Sequence, residues 1–319
     1  MQGDVAEKEN LVRKAVIDVG TNSVKLLVAD LSDHHITPIK ECAIQTRIGN
    51  NAFNSKTLQN DGIARTLEAI EFFYQYSRML GSKDIKIIGT SAIREAANRD
   101  EFALKVKEKT SLDIQIISGE EEAELAYIGV VSETSFENAP VLITEVGGGS
   151  TQFIVGDKLN LVFKKSYKIG GVRLMNMFHV SDPPSNEEFL KCKNAIENEI
   201  TSHIYPDIQD FLKKYGESLK FIATGGTITI VGKIKLQMDE YDREKLDGLE
   251  IKFEEICELT EKLWRMTLKE RQSIPGLPAD RADVIIFGLL IFMGIMSFLK
   301  LKSVYLSTRG LRFGVLKKF

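Results

Sequence analysis

Residues 16–28, VIDVGTNSVKLLV, decide the fold, because a second stretch of the same pattern, LITEVGGGSTQFIV, occupies residues 142–155. Each stretch reads as an apolar strand, an acidic residue, a turn of small residues and a second apolar strand. When the two are aligned without gaps, Asp18 meets Glu145, and glycines and serines of the two turns coincide. We interpret the stretches as copies of one unit, each opening one half of the chain.

Both halves continue with strands that alternate with helices. After the first copy the pattern predicts strands at 36–44, 85–88 and 114–117 and helices at 63–80, 99–109 and 120–131. After the second copy it predicts strands at 161–167, 221–223 and 304–306, helices at 186–215, 253–268 and 284–299, and a short terminal helix. This alternation is typical of an α/β fold. We expect two similar facing domains, at 14–138 and 139–306, because Asn138 and Pro140 interrupt the pattern between them.

Composition limits the partners of the chain. Its 319 residues include 42 Lys and Arg and 45 Asp and Glu, for a net charge of −3. A polyanion must then be bound by local donors, and we expect no nucleic-acid partner. The three cysteines lie far apart, which fits a reducing compartment. The first ten residues, MQGDVAEKEN, are polar and unlike a signal peptide, so we predict a cytoplasmic protein.

One apolar run, residues 284–299, resembles a membrane segment at first sight. Its sixteen residues are fewer than the roughly 20 that a membrane-spanning helix needs. Gly288 and Gly294 would let another element pack closely against it. We predict a fully buried helix and no membrane partner.

The turns of the two copies are suited to phosphate binding. Glycine lets the backbone approach a ligand, and consecutive N–H groups and small hydroxyls then meet phosphate oxygens. The candidate phosphate-binding residues are Gly20, Thr21, Asn22, Ser23, Gly147, Gly148, Gly149, Ser150 and Thr151. The carboxylates of Asp18 and Glu145 would repel a bound anion, so their presence beside a phosphate indicates a cation such as Mg²⁺ between them. The alternative is a pair of tight hairpins with surface carboxylates.

A third glycine turn, ATGGT at residues 223–227, follows an apolar strand. It either holds the base or phosphate of a ligand or merely turns the chain. The chain has neither the P-loop pattern nor G-x-G-x-x-G, which argues against the usual dinucleotide and P-loop sites.

The acidic stretch ISGEEEAE, residues 117–124, begins a predicted helix. Ser118 is a plausible N-cap, and acidic residues in a first turn suit the helix dipole. Glu121 and Glu122 lie about 100° apart on a helix, so one can face a cleft while the other faces water. A buried glutamate there can activate water as a general base.

Five arginines stand near Gly, Ser or Thr turns, where bidentate phosphate contacts are possible: Arg94, Arg173, Arg281, Arg309 and Arg312. Taken alone, each is more typical of a solvated surface arginine than of a phosphate contact. The group Asp280, Arg281 and Asp283 is interpreted as capping plus ion pairing.

Taken together, the motifs IDVGTNSVKLLV, GTSAIREAAN, ISGEEEA, VGGGST, GGVR, ATGGT, RADVI and STRGLRFGVL resemble the PPX/GppA exopolyphosphatase and guanosine pentaphosphate phosphohydrolase family, in family order from residue 15 to 316. The resemblance implies a duplicated ribonuclease-H-like fold of the actin and sugar-kinase superfamily, with a cleft between two domains. It also implies the short two-domain form, a helix at about 307–319 that packs back on the first domain, and a possible homodimer.

The chemistry implied by the resemblance is hydrolysis of a terminal phosphoanhydride in polyphosphate or guanosine pentaphosphate, assisted by magnesium or manganese. Glu122 would be the general base and Arg94 a second catalytic residue, with Asp18, Glu145 and Gln152 at the metal. Further candidate contacts to nucleotide or polyphosphate are Lys25, Arg173, Gly225, Gly226 and Thr227.

Two residues depart from the family pattern. Glu145 stands where Asp is usual, and Gln152 stands where Glu is usual. The site would lose one formal charge and shift another by roughly 1.5 Å. Mg²⁺ demands strict geometry, so metal affinity or rate would fall unless Asp18 or Glu121 compensates. This motivates a second hypothesis, a polyphosphate- or alarmone-binding regulatory protein. A third, a kinase or ATPase of the superfamily, is opposed by the glutamate-rich helix start.

Overall fold

A computed structural model describes residues 11–32, 35–132, 139–157 and 160–319. The polar segment 1–10 and part of the predicted boundary, residues 137–138, lie outside the described residues.

The first sheet has the strand order β3-β2-β1-β4-β5. Its strands are β1 (Val12–Val19), β2 (Ser23–Leu31), β3 (Ile36–Gln45), β4 (Asp84–Gly89) and β5 (Ile114–Ile116). Helices α1 (Ala52–Ser55), α2 (Asn60–Met79), α3 (Ser91–Glu95) and α4 (Arg99–Thr110) belong to the same half. Side chains alternate between the two faces of a strand. Ile17 and Leu26 therefore pack with α2 and α4, whereas Val16 and Leu27 face the opposite way.

The second sheet has the order β10-β11-β9-β6-β7-β8. Its strands are β6 (Val141–Val146), β7 (Thr151–Asp157), β8 (Asn160–Tyr167), β9 (Lys220–Thr224), β10 (Glu250–Lys252) and β11 (Ser303–Leu306). Its helices are α6 (Gly171–Met177), α7 (Asn186–Glu199), α8 (Tyr205–Tyr215), α9 (Gly226–Lys235), α10 (Arg243–Leu246), α11 (Phe253–Trp264), α12 (Leu268–Arg271) and α13 (Ile285–Phe298). A π-helical turn, Ile200–Ile204, joins α7 to α8, and short 3₁₀ turns cover Gly216–Ser218 and Ala279–Arg281.

The two sheets repeat one connectivity. In each, a hairpin is followed by a strand parallel to its first member, β4 beside β1 and β9 beside β6. The registers also match, because Asp18 lies opposite Lys25 and Glu145 lies opposite Gln152. The sequence repeat is therefore a repeat of structure, and the prediction of a duplicated α/β fold is confirmed.

Helix α13 is the predicted buried helix. Every residue from Ile285 to Met296 is buried, and the helix packs against α11 and α7. Across the described part of the chain, no helix combines the length and apolarity required to cross a bilayer.

Two helices, α5 (Gly119–Val131) and α14 (Leu311–Lys317), lie between the inner faces of the sheets. Helix α5 contacts β7 and β8, and α14 contacts β1 and β3. The helices touch each other so closely that a Cβ atom on Gly314 would lie 1.8 Å from the carbonyl oxygen of Leu125. The sheet ends that carry Asp18 and Glu145 open beside this helix pair. The domain limits 14–138 and 139–306 stay a prediction.

Candidate active site

The two glycine turns have the same local structure. The N–H of Gly20 donates to the carbonyl of Ser23 at 3.0 Å, and the N–H of Gly147 donates to the carbonyl of Ser150 at 2.9 Å. Each turn thus closes a tight hairpin directly after a buried strand.

The turns also face each other. A Cβ atom on Gly149 would lie 2.5 Å from Ser91 Oγ and 2.9 Å from Thr21 Oγ1, and one on Gly148 would lie 3.0 Å from Thr21 Cβ. Side chains at these positions would push the halves apart, so glycine is required for this approach. The backbones and hydroxyls of both turns therefore meet at one place.

Two carboxylates lie on the inner faces directly before the turns. Asp18 Oδ1 and Glu145 Oε2 are buried and have no hydrogen-bond partner among the described residues. Burial raises the pKa of both groups, while Lys25 and Arg312 act in the opposite direction. Unpartnered buried carboxylate oxygens are costly unless a cation or proton compensates them.

Glu122 is the buried glutamate of the acidic stretch. Ser118 caps α5. Its backbone N–H donates to the Glu121 carboxylate at 2.7 Å, and its Oγ accepts from the Glu121 backbone N–H at 3.1 Å. Glu121 is exposed and occupied by this cap, so it is not the compensating carboxylate that the sequence left open. Glu122, one position on, is only 8% exposed and turns inward.

Arg94 holds Glu122 in place. Its Nη1 donates to Glu122 Oε2 at 3.0 Å and to the carbonyl of Ile117 at 2.9 Å. Burial raises the pKa of Glu122 to about 7; Arg94 opposes the rise, and the charges of Glu145 and Asp18 add to it. A carboxylate with a pKa near neutrality is suited to accept a proton from water.

Gln152 completes the set expected at the metal. It is fully buried opposite Glu145, and its Oε1 has no partner in the part of the chain that the structure describes. The described residues contain no cluster of three or more His, Cys, Asp or Glu that could hold a metal ion alone. Mg²⁺ is commonly bound by one or two carboxylates together with substrate phosphates and water. The unpartnered oxygens of Asp18 and Glu145, which line one cavity, fit a cation that is held partly by the substrate, while Gln152 pairs with Glu145 across the strands but lies outside that lining.

A cavity of about 260 Å³ adjoins Asp18 and Glu145 between the two halves. It is lined by basic side chains, by the third glycine turn and by apolar groups, among them Lys25, Lys233, Arg281, Arg312, Gly225, Gly226, Ile230, Tyr241 and Phe313. The site carboxylates therefore open onto a space lined by four basic side chains and by one further carboxylate, that of Glu41.

The structure gives two of the predicted contact residues other partners. Arg173 donates from Nε to the carbonyl of Gly149 at 2.8 Å and from Nη2 to Glu95 Oε1 at 2.6 Å, and its guanidinium lies over the ring of Phe53. Thr227 is buried and donates to the carbonyl of Val146 at 3.1 Å. Both brace the walls of the site rather than line the cavity.

Sequence reasoning missed several residues of this region. Lys233 and Tyr241 line the cavity, and Ser166, on β8, bonds to Gln152. Lys233 lies two turns after Gly226 on α9, a spacing that the sequence contains. A lone serine near the end of a strand gives no signal.

The paired hairpins, the matched sheets and the helix pair between them define an actin-like duplicated α/β fold. Residues 27–318 match the model of the Ppx/GppA phosphatase family, and the chain belongs to that family. The resemblance inferred from the sequence motifs is thereby confirmed.

Individual relatives are distant but align over most of the chain. A bifunctional 3-dehydroquinate synthase/phosphatase of Fusobacterium nucleatum is 32% identical over 305 residues, which are 91% of this chain and 44% of that protein. Exopolyphosphatase 2 of Mycobacterium tuberculosis is 27% identical over 88% of this chain and 89% of its own. The crystal structure of the Aquifex aeolicus Ppx/GppA family member has a TM-score of 0.78, with 27% identity over 97% of each chain. The chain thus spans under half the length of the fusobacterial relative.

Proposed function

We propose that this protein is a hydrolase that releases the terminal phosphate of inorganic polyphosphate. The observation that carries the proposal is Glu122, a buried carboxylate with a pKa near 7, held by Arg94 beside paired glycine turns. Family membership and the name of the mycobacterial relative support the same reaction class.

The reaction needs positioning and charge neutralisation more than covalent chemistry. N–H groups and hydroxyls of the two turns hold the terminal phosphate, and Arg94 faces its developing charge. Glu122 accepts a proton from a water molecule, whose oxygen forms a bond to the terminal phosphorus. The bond from that phosphorus to the bridging oxygen breaks, and the shortened chain leaves along the cavity that Lys25 and Lys233 line.

A divalent cation, magnesium or manganese, supplies charge neutralisation at the phosphate oxygens when it is bound. The residues that would hold it are Asp18, Glu145 and Gln152, which present oxygens without protein partners.

Guanosine pentaphosphate is a second candidate substrate. The cavity combines basic side chains with the apolar Ile230 and Phe313 and the ring of Tyr241, a lining that suits a nucleoside as well as a phosphate chain. The regulatory alternative of a phosphate-chain-binding protein without turnover is favoured by the amide of Gln152 in place of a charge.

Phosphate release from polyphosphate and from guanosine pentaphosphate, across a series of Mg²⁺ and Mn²⁺ concentrations, tests these options. We expect release from polyphosphate that requires the cation. Tight binding in calorimetry without release at any cation concentration would instead establish the regulatory alternative.

The variant Glu122→Gln tests the base directly. It removes the proton acceptor but keeps the shape, so turnover should fall at least roughly a hundredfold while polyphosphate binding persists. Glu120→Gln, an exposed change on the same helix, is the matched control and should leave turnover unchanged. Near wild-type turnover of Glu122→Gln would falsify the assignment.

A further inference from the structure

Gln152 joins two hydroxyl groups at the edge of the site. Its Nε2 donates to Ser150 Oγ at 3.0 Å and to Ser166 Oγ at 3.1 Å, and no described residue bonds to its Oε1. In this orientation both N–H hydrogens of the amide have acceptors. Both serine oxygens are therefore acceptors of an amide hydrogen.

This direction of bonding decides where the hydroxyl hydrogens point. A serine hydroxyl has one hydrogen, and when its oxygen accepts from Gln152 that hydrogen is directed elsewhere. Within the described ranges, neither Ser150 nor Ser166 donates its hydroxyl to a protein acceptor. Two oriented O–H donors are left for a ligand.

Ser166 lies beside the catalytic pair as well as beside the second turn. A Cβ atom on Gly119, the first residue of α5, would lie 2.9 Å from Ser166 Oγ and 3.7 Å from Arg94 Nη2. Arg94 in turn holds Glu122. The Ser166 hydroxyl thus lies between Gln152 and Arg94, the residue proposed to face the terminal phosphate.

We propose that Ser166 is a substrate-binding residue that donates its hydroxyl to an oxygen of the terminal phosphate, and that Gln152 is the positioning residue that orients it together with Ser150. The inference rests on the proposed function, because its ligand is the end of a phosphate chain.

A carboxylate at position 152 would have the opposite effect. It would accept from both serines, so their hydrogens would point at it and only lone pairs would face the anion. Compared with glutamate, glutamine at position 152 removes one negative charge beside the cation and leaves two serine hydroxyls free to donate to the phosphate. This gives the departure at position 152 a role in anion binding.

Binding of tripolyphosphate, measured by calorimetry with Mg²⁺ present and with Glu122→Gln added to every protein compared, tests the inference without turnover. Ser166→Ala should weaken binding roughly tenfold, the effect of one hydrogen bond to a charged group. Gln152→Met keeps the size but donates nothing, and in that background the added Ser166→Ala change should have a much smaller effect. Ser303→Ala, a half-buried strand serine outside the site, is the matched control, and circular dichroism verifies the fold of each variant.

The outcomes separate this inference from the proposed function. If the wild type releases phosphate from polyphosphate but Ser166→Ala binds tripolyphosphate normally, the inference fails alone. An equal loss on Ser166→Ala in both backgrounds overturns the positioning role of Gln152. A wild type that neither binds tripolyphosphate nor releases phosphate overturns the function and the inference together.

Discussion

At the residue scale, Glu122 determines the pH response of the site. Burial raises its pKa to about 7, so the proposed base is protonated below that pH and available as a proton acceptor above it. We expect kcat/KM for polyphosphate to rise with pH and to level off above about pH 7. At one pH unit below the pKa of Glu122, kcat/KM should be roughly tenfold lower than this plateau. Steady-state rates across pH 5–9 measure this. Binding of tripolyphosphate in the same buffers is the control, and a rate that is flat across this range contradicts the prediction.

The same raised pKa of Glu122 makes the free energy of unfolding fall as pH rises, whereas activity should increase. Its folded pKa lies above the value of about 4.5 in the unfolded chain, so the folded state binds the proton more tightly. The free energy of unfolding should fall as pH rises from about 4.5 to about 7, by about 3 kcal/mol at most from this group. Urea denaturation of wild type and Glu122→Gln measures the difference. An identical pH dependence in the two proteins would disagree with burial of this group.

At the element scale, the contact between α5 and α14 allows no side chain. Gly→Ala in a helix normally stabilises by about 0.5–1 kcal/mol. In Gly314→Ala the added Cβ would meet the carbonyl oxygen of Leu125 at 1.8 Å, and overpacking against backbone costs more than that gain. We expect a loss of more than about 2 kcal/mol in urea denaturation. Lys317→Ala, exposed on the same helix, serves as the reference and should change little.

The sequence predicted the elements with a clear period and missed those at glycine turns. The two hairpins and α2 follow from apolar periodicity, and α13 follows from an uninterrupted apolar run. Helices α3, α6 and α9 were not predicted, because each begins directly after a turn whose glycines, serines or threonines indicate a break. Helix α5 was predicted from its cap, but its packing on β7 and β8 depends on tertiary contacts that periodicity does not contain.

The candidate site shows the same division between local and distant information. Asp18 and Glu145 followed from the repeat, since each copy places a carboxylate before its turn. Glu122 was singled out by family resemblance, and the structure supplies the reason, its burial against Arg94. The engagement of Arg173 with Glu95, in the other half of the chain, has no signal in the sequence.

At the scale of the whole molecule, ion pairs join the two halves across the cavity. Glu41 on β3 binds Arg243 on α10 of the other half, and it also binds Arg312 on α14, which packs on its own sheet, at 3.1 Å. Arg47 binds Asp283 at 2.6 Å. The Glu41–Arg243 and Arg47–Asp283 pairs thus join the halves in the arrangement in which the glycine turns meet.

Arg47→Gln tests the importance of closure. Loss of this ion pair should favour separation of the halves, so that KM for polyphosphate rises several-fold while the circular dichroism spectrum is kept. Arg265→Gln, which removes an exposed ion pair within one helix, is the control. An unchanged KM would show that the pair does not contribute to closure.

The position of α14 has a consequence for synthesis on the ribosome. Arg312 donates to the carbonyl of Leu26 across 286 residues of chain, and the neighbouring Phe313 and Leu316 cover Val16 and Leu27. The face of the opening hairpin that carries Val16 and Leu27 therefore lacks this cover until residues 311–316 have been translated. Contacts of such long range slow folding and leave the nascent chain dependent on protection from aggregation.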